Sequence, residues 1–343
     1  MANTLTIAGQ TIAPGKSVQL ELPVAHLYTD TEVSIPIHVI RARKPGPILF
    51  VSAAIHGDEL NGIEIIRRLT SRKSIKLLQG TLIAVPIVNV YGVLQQSRYM
   101  PDRRDLNRSF PGSSKGSMAG RVANLFLTEI VSHCDYGIDL HTGAIHRSNL
   151  PQIRADLNDA ETSALAHAFG VPVLLNANLR DGSLREAAQE SGTRMLLYEA
   201  GEALRFDELA IRAGLKGILN VMTHLGMLRK RNGKPMPEPF VADKSAWVRA
   251  ASSGIVSLRK HLGDHVYQGE ILAEIGDPFG NLIDRVYAPK AGVIIGQQNI
   301  PLAHEGDAIY HLAYFNEPGE VAEHIEQLQD ALLPDTPLFD EPK

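Results

Sequence analysis

Cysteine is all but missing from this chain. Cys134 stands alone among 343 residues, which excludes an intrachain disulfide and a thiolate cluster for zinc, and favours a reducing, cytoplasmic setting. Cys134 itself fits a small buried hydrophobe better than a nucleophile. Long apolar runs are missing too: none approaches the roughly 20 residues needed to cross a bilayer, so no membrane partner is expected. The opening MANTLTIAGQTIAPG has no basic segment followed by an apolar one, so a soluble, unexported protein is expected. Strong charge of either sign is also lacking. Lys and Arg number 34 against 38 Asp and Glu, a formal net charge of -4 with no long basic run, which excludes a field for nucleic acid or an anionic membrane. An acidic small-molecule substrate would have to be met by local arginines.

The length suits one large catalytic domain plus a smaller one. Residues 1–46 carry alternating apolar positions (Val18, Leu20; Val33, Ile35, Ile37) and are expected to form a β extension at the edge of the core. Residues 47–230 alternate apolar runs such as ILFVSAAI and TLIAVPIVNV with amphipathic helical stretches such as AGRVANLFLTEIV. That pattern predicts an α/β domain, a largely parallel sheet flanked by helices, with functional side chains at the carboxyl ends of strands. His56, Asn89, His141 and Glu199 all fall near such ends. The proline-spaced RNGKPMPEP is a candidate linker. Residues 240–316 change to short strands with glycine turns and resemble a lipoyl- or biotinyl-like β-sandwich. The turn GDPFGN, where carrier modules place their modified lysine, has none, so a structural or shielding role is expected. Residues 317–343 form an acidic, proline-containing tail, expected to be solvated with at most one helix.

The chemistry concentrates in AAIHGDELNGIEIIRRL. His56 and Glu59 form an H-x-x-E pair at a strand-to-helix junction, where an imidazole and a carboxylate can converge on one cation. His141, closing the apolar run YGIDLH, supplies a third ligand. Two nitrogens and one carboxylate leave a zinc position open, which suits a hydrolytic site. One Zn2+ per chain is expected. Asp139 lies on the same strand face as His141, where it fits either a group that orients an imidazole or a plain buried hydrogen-bonding carboxylate. RRDLNRSFPG offers Asn107 and Arg108 on a loop as a multi-donor clamp for a carboxylate. Arg98 is the candidate to hold negative charge developing on a scissile carbonyl, with Arg103 and Arg104 as rivals. Glu199, at the end of MLLYEAGE, is the candidate general base and acid, with Glu202 as rival.

Taken in order, H-G-D-E, D-L-N-R-x-F-P-G, D-L-H-T-G and the strand-borne E-A-G-E resemble the succinylglutamate desuccinylase and aspartoacylase family, relatives of zinc carboxypeptidases. The resemblance covers about residues 47–225. It implies a carboxypeptidase-like α/β fold, zinc on His56, Glu59 and His141, and a substrate carboxylate on Asn107 and Arg108. It also implies Glu199 as general base and acid, Arg98 at the oxyanion, and a C-terminal β domain that narrows the mouth of the site. Arg154, Arg185, Tyr287 and Tyr310 are candidates for reading the acyl group. The expected activity is zinc-dependent removal of a small acyl group from an amino acid nitrogen. A metallocarboxypeptidase trimming acidic C-terminal residues is the nearest rival, and a noncatalytic zinc-containing binding protein a more distant one. A homo-oligomer is compatible with all three.

Overall fold

The computed structural model describes residues 4–71, 75–177, 179–230, 239–242, 244–315 and 318–332. All of RNGKPMPEP except its final Pro239 therefore lies outside the described residues, as do 333–343 of the tail. A short hairpin of β1 (Leu5–Ile7) and β2 (Gln10–Ile12) precedes a long one of β3 (Ser17–His26) and β4 (Glu32–Arg41). The alternating part follows as β5 (Ile48–Ala53), α1 (Asn61–Ser71), β6 (Thr81–Val85), α2 (Val90–Gln95), α3 (Met118–Glu129), β7 (Tyr136–Gly143) and β8 (Arg147–Ala155). It continues with α4 (Ala160–Phe169), β9 (Val173–Asn176), α5 (Leu184–Glu190), β10 (Arg194–Glu202) and α6 (Glu208–His224). The C-terminal portion is built of short strands: β11 (Phe240–Ala242), β12 (Lys244–Arg249), β13 (Gly254–Leu258), β14 (His265–Val266), β15 (Ile271–Gly276), β16 (Leu282–Tyr287), β17 (Gly292–Gln298), β18 (Leu302–Ala303) and β19 (Ala308–Tyr314). It ends in α7 (Pro318–Leu332).

One 13-stranded mixed sheet carries the fold, with the central order β8-β10-β7-β5-β6-β4-β3. Its middle is parallel: β10 with β7, β7 with β5, and β5 with β6. Those strands are apolar almost without interruption because helices cover both faces, and β6, TLIAV, is buried at every position. Residues 86–89, read as a continuation of that strand, instead turn into α2. The flanks are antiparallel, since β8 reverses against β10 and β4 against β6. The N-terminal alternation becomes the β3–β4 hairpin, with Leu20, Leu22, Val33, Ile35, Ile37 and Val39 buried, and β3 forms the sheet edge. On α1, Gly62 lets the helix lie close to the sheet: a Cβ there would stand 2.6 Å from Ala53 Cβ and 2.8 Å from Leu140 Cβ.

The C-terminal strands are stitched into the same sheet. β17 pairs with β8 (Gly296 with Asn149, Gln297 with Ser148, Gln298 with Arg147), β19 with β17, and β12 with β19. A separate four-stranded sheet, β16-β15-β13-β18, packs over them around Val256, Leu272, Ile275 and Ile309. The expected solvated tail needs correcting. α7 buries Val321 and Ile325 in a cluster with Leu150, Leu175, Val293 and Ile295, because its apolar positions recur at helical spacing.

Candidate active site

The H-x-x-E segment occupies the turn between β5 and α1. His56 and Glu59 are almost completely buried there, at 3% and 2% exposure. Its tight course depends on Gly57, where a Cβ would sit 1.9 Å from the carbonyl carbon of Gly92 on α2. Asn89 caps α2 by accepting from Gly92 N at 2.8 Å and donates to the Ile55 carbonyl at 3.2 Å. It therefore supports the loop before His56 and is not among the residues lining the cleft, contrary to its grouping with them on strand-end position.

Glu59 stands between the two imidazoles. Its Oε1 is 2.8 Å from His56 Nδ1 and its Oε2 2.8 Å from His141 Nδ1, while Thr142 N donates to Oε2 at 3.1 Å. The outer ring nitrogens meet other carboxylates: His56 Nε2 lies 3.1 Å from Asp105, and His141 Nε2 lies 2.7 Å from Asp139, which accepts from Ser52 at 2.7 Å. Burial disfavours charge on both imidazoles, but the surrounding carboxylates outweigh it and hold His56 and His141 above their ordinary pKa. Burial likewise opposes ionisation of Glu59 and Asp105, yet the imidazoles, with Arg98 beside Asp105, hold both carboxyls below the usual range.

One ligand atom from each of His56, Glu59 and His141 lies within 4.8 Å of the others. This donor set fits a zinc ion. It offers two nitrogens and a carboxylate at one point, with each imidazole fixed from behind by an aspartate, the supporting arrangement that orients metal-bound histidines. Asp105 was not singled out in the sequence, although it stands in the same D-L-N-R motif as Asn107.

A cleft of about 550 Å³ opens on this cluster. Among the described residues it is lined by seven arginines (Arg98, Arg108, Arg147, Arg154, Arg180, Arg185 and Arg249) against three carboxylates, Glu59, Asp139 and Glu199. Glu199 sits on β10 directly beside His141 in the parallel register, so the pleat turns both side chains to one face. Its Oε2 accepts from Asn149 at 2.5 Å and its Oε1 lies 3.3 Å from Arg154. Arg98 bridges Glu59 at 3.2 Å and Asp105 at 3.1 Å. Burial pulls the Arg185 guanidinium down to about 10, and Arg154 and Arg180 nearby add to the fall.

Other expected positions sort differently. Arg103 and Arg104 do not line the cleft. Glu202 faces away from it and binds Asn299 at 2.8 Å and His146 N at 3.0 Å, fastening the C-terminal strands. Tyr287 is exposed on β16, and Tyr310 is core, its hydroxyl donating to the carbonyls of Lys260 and Leu272. Asn107 and Arg108 both line the cleft in a 3-10 turn, but the Asn107 side-chain carbonyl already accepts from Leu184 N at the start of α5. That carbonyl holds two elements together, while the Arg108 guanidinium donates to the Asn107 backbone carbonyl. The sequence reading also missed Arg147, Arg180, Trp247 and Arg249, which reach the cleft from the interior strand β8, from a loop and from the edge strand β12.

Residues 45–225 match the model of the succinylglutamate desuccinylase/aspartoacylase catalytic domain. The chain belongs to this family. Among desuccinylase/aspartoacylase relatives, the N-alpha-acetyl-L-2,4-diaminobutyric acid deacetylase of Halomonas elongata is 30% identical over 295 residues, 82% of this chain and 86% of the relative. A succinylglutamate desuccinylase of Pseudomonas aeruginosa is 34% identical over 164 residues, 43% of this chain and 46% of the relative. Among solved structures, the product-bound ectoine utilization protein EutE (DoeB) of Ruegeria pomeroyi superposes with a TM-score of 0.80 at 25% identity, covering 92% of this chain and 100% of that one. The mixed α/β fold and its strand-rich C-terminal portion are thus those of the desuccinylase/aspartoacylase structures. No described helix is long and apolar enough to cross a membrane.

Proposed function

We propose that this cleft is the active site of a zinc-dependent hydrolase that cleaves the amide bond of a small N-acyl amino acid. The observation that carries this reading is the convergence of His56, Glu59 and His141 beside Glu199 in an arginine-rich cleft. Zinc bound by those three ligands would supply a Lewis acid for the amide carbonyl and a more acidic water.

The chain's own residues account for the remaining chemistry. Glu199 takes a proton from the attacking water as its oxygen adds to the acyl carbon, and passes it to the amide nitrogen as the C–N bond breaks; the water's second proton follows to the amine, giving a carboxylate and an ammonium. Asn149, donating to Glu199, fixes the carboxylate's orientation. Arg98, pinned by Asp105, lies close enough to Glu59 to steady charge on the carbonyl oxygen. Arg108 receives the α-carboxylate of the amino acid half. Trp247, Arg249 and Ala308 close one side of the cleft with C-terminal residues, which favours small substrates over the peptides a carboxypeptidase would take. The single, buried cysteine supports a cytoplasmic location.

The reading is tested by amine release from a panel of N-acyl amino acids and short acidic peptides, before and after chelation and after zinc return. Activity on N-acyl amino acids that is lost and regained with zinc supports it. Activity confined to peptides, or indifferent to metal, refutes it.

A further inference from the structure

Among the described residues, buried side-chain atoms that find no hydrogen-bond partner gather behind Glu199: Oε1 and Nε2 of Gln152, Nε of Arg154 and Nδ1 of His311. Gln152 is the most demanding of the three. It is fully enclosed, at 0% exposure, and both ends of its amide are unmet, an arrangement that burial makes costly.

The local sequence explains why this amide lies there. Gln152 is the Cα partner of Glu199 across the antiparallel β8–β10 ladder and Asn149 is the partner of Gly201, so β8 takes three residue steps where β10 takes two. The extra residue falls at Leu150 and Pro151, and proline suits a bulge because it has no N–H to lose from the ladder. Residues three apart on a regular strand face opposite ways, but this bulge turns both Asn149 and Gln152 to the side of Glu199. At the same point β8 changes its outer neighbour, from β17 at 147–149 to β9 at 152–155.

The two oxygens of Glu199 are held unequally. Asn149 donates to Oε2 at 2.5 Å, whereas Arg154 Nε stands 3.3 Å from Oε1 without the alignment of a hydrogen bond. His311 approaches the same face from β19: a Cβ on Gly296 would stand 3.1 Å from Asn149 Oδ1 and 2.9 Å from His311 Cβ. Trp247 stacks on the His311 ring, with centres 4.5 Å apart and planes 9° from parallel, which fixes the imidazole. Burial, reinforced by Arg154 and Arg180, pushes the His311 pKa down to about 3, so the ring is neutral and offers one nitrogen as donor and one as acceptor.

We propose that Gln152, Arg154 and His311 line an internal hydration site behind Glu199, and that Gln152, through the water it holds there, is a positioning residue for the Glu199 carboxylate. Water is the ligand this set takes, because it mixes donors with acceptors and is closed to bulk solvent, and a buried water makes about two to four bonds to such groups. The water joins the Gln152 amide to the Arg154 Nε–H and so steadies the guanidinium against the more loosely held Oε1. The positioning role rests on the amidohydrolase reading, in which Glu199 carries the proton.

The test combines crystal structures of the zinc-loaded wild type, Gln152→Leu and Gln152→Asn, at a resolution that shows bound water, with kcat and KM for an N-acyl amino acid and melting temperatures. The wild type should show at least one water bonded to Gln152 and to Arg154 or His311. Gln152→Leu has nearly the same volume and no polar atoms; it should lose that water, leave the Glu199 carboxylate turned or in two orientations, and lower kcat about 3- to 10-fold, the scale of one hydrogen bond, with KM nearly unchanged. Its melting temperature should not fall, since a buried polar group has been removed. Gln152→Asn retains the amide and should recover most of kcat. A wild type with no water on Gln152 overturns the inference without any variant, which keeps the test decisive if Gln152→Leu does not fold. So does a Leu variant with unaltered carboxylate and kcat, or a loss of kcat shared equally by the Asn variant and matched by lost stability, which would make Gln152 structural. The water and the carboxylate shift in a protein that hydrolyses nothing uphold the inference and defeat the hydrolase reading; hydrolysis without the water does the reverse.

Discussion

Glu199 and His141 stand side by side on neighbouring parallel strands, Cα partners in one register between β10 and β7. The distance between the proposed proton carrier and one proposed metal ligand is therefore set by the hydrogen-bonded ladder and not by a loop. The pairing continues below them through Leu197 with Asp139 and across to Ser52 on β5, so the residues supporting His141 share its face. Glu199→Gln keeps the shape of the side chain and cannot accept the proton. Turnover should fall at least about 100-fold, the usual weight of general-base catalysis, while zinc content and melting temperature stay near wild type. A variant with near-normal kcat would remove Glu199 from the mechanism.

Asp139 tests the support behind the metal site separately from the ligands. It is buried at 1% exposure and lies 2.7 Å from His141 Nε2. Asp139→Asn preserves size but weakens the hold on the imidazole, and such supporting groups typically contribute 10- to 100-fold in metal affinity. Competition with a chelating dye should show a loss of about that order in a protein that still folds. Unchanged affinity would mean that Asp139 serves only the strand.

The convergence of His56, Glu59 and His141 was legible because its information is local: His56 and Glu59 share one turn, and His141 closes an apolar run. The arginine lining was only partly legible, because it is assembled from separate elements: Arg98, Arg108, Arg154 and Arg185 were singled out, while Arg147 on β8, Arg180 on a loop and Arg249 on β12 were not. Periodicity gave the layers of the central domain but not the fate of TLIAVPIVNV. There Asn89 caps a helix that an apolar run alone does not announce. Nor does a glycine turn pattern reveal that β17 will pair with β8 across the domain boundary assumed between them.

Gly57 illustrates a constraint invisible in the motif's chemistry. A methyl group at this position would collide with the backbone of Gly92, the nearest atom being 1.9 Å away, so the loop carrying His56 would have to move. Overpacking of this kind costs about 1–3 kcal/mol. Gly57→Ala should lower the melting temperature and, because the displaced segment holds two of the proposed ligands, also lower zinc content. Retention of full zinc content would show that the loop and α2 separate without disturbing the site.

Surface electrostatics predict a pH signature away from the cleft. Glu208, at the start of α6, is held down from 4.5 to about 2, chiefly by its hydrogen bonds with Arg68, against the opposing effect of burial and with help from Arg212. A depressed folded pKa means the stabilisation is complete above about 4.5 and is lost as pH falls through about 2. Because the side chain is 47% exposed, solvent screening limits the gain to roughly 0.5–1 kcal/mol. Glu208→Gln should therefore unfold more readily than wild type in urea at pH 7, with the difference shrinking toward pH 2. A gap that is constant with pH would assign the effect to packing.

The last prediction concerns whether the C-terminal strands can be removed. A shielding module attached through a linker would leave an intact catalytic core when cut away near residue 230, with longer peptides as new substrates. The sheet argues otherwise. Removing β17 strips the ladder from Arg147, Ser148 and Asn149 on β8, the strand that also presents Arg154 to the cleft. It also uncovers Leu150, Val173 and Leu175, which are buried against Val293, Ile295, Ala313 and α7. Exposing three such side chains costs on the order of 1.5–3 kcal/mol each, comparable with the whole stability of many domains. A chain ending at residue 230 should therefore be aggregated or loosely packed, and lose zinc together with its cooperative melting transition. Opening the cleft without unfolding it calls for a smaller change, Trp247→Ala with Arg249→Ala, which removes the wall and keeps the β12 backbone paired with β19. If the truncated chain instead melts cooperatively and binds zinc, the sheet's C-terminal extension is an accessory to the fold, and its contribution to the cleft must be judged on substrate selection alone.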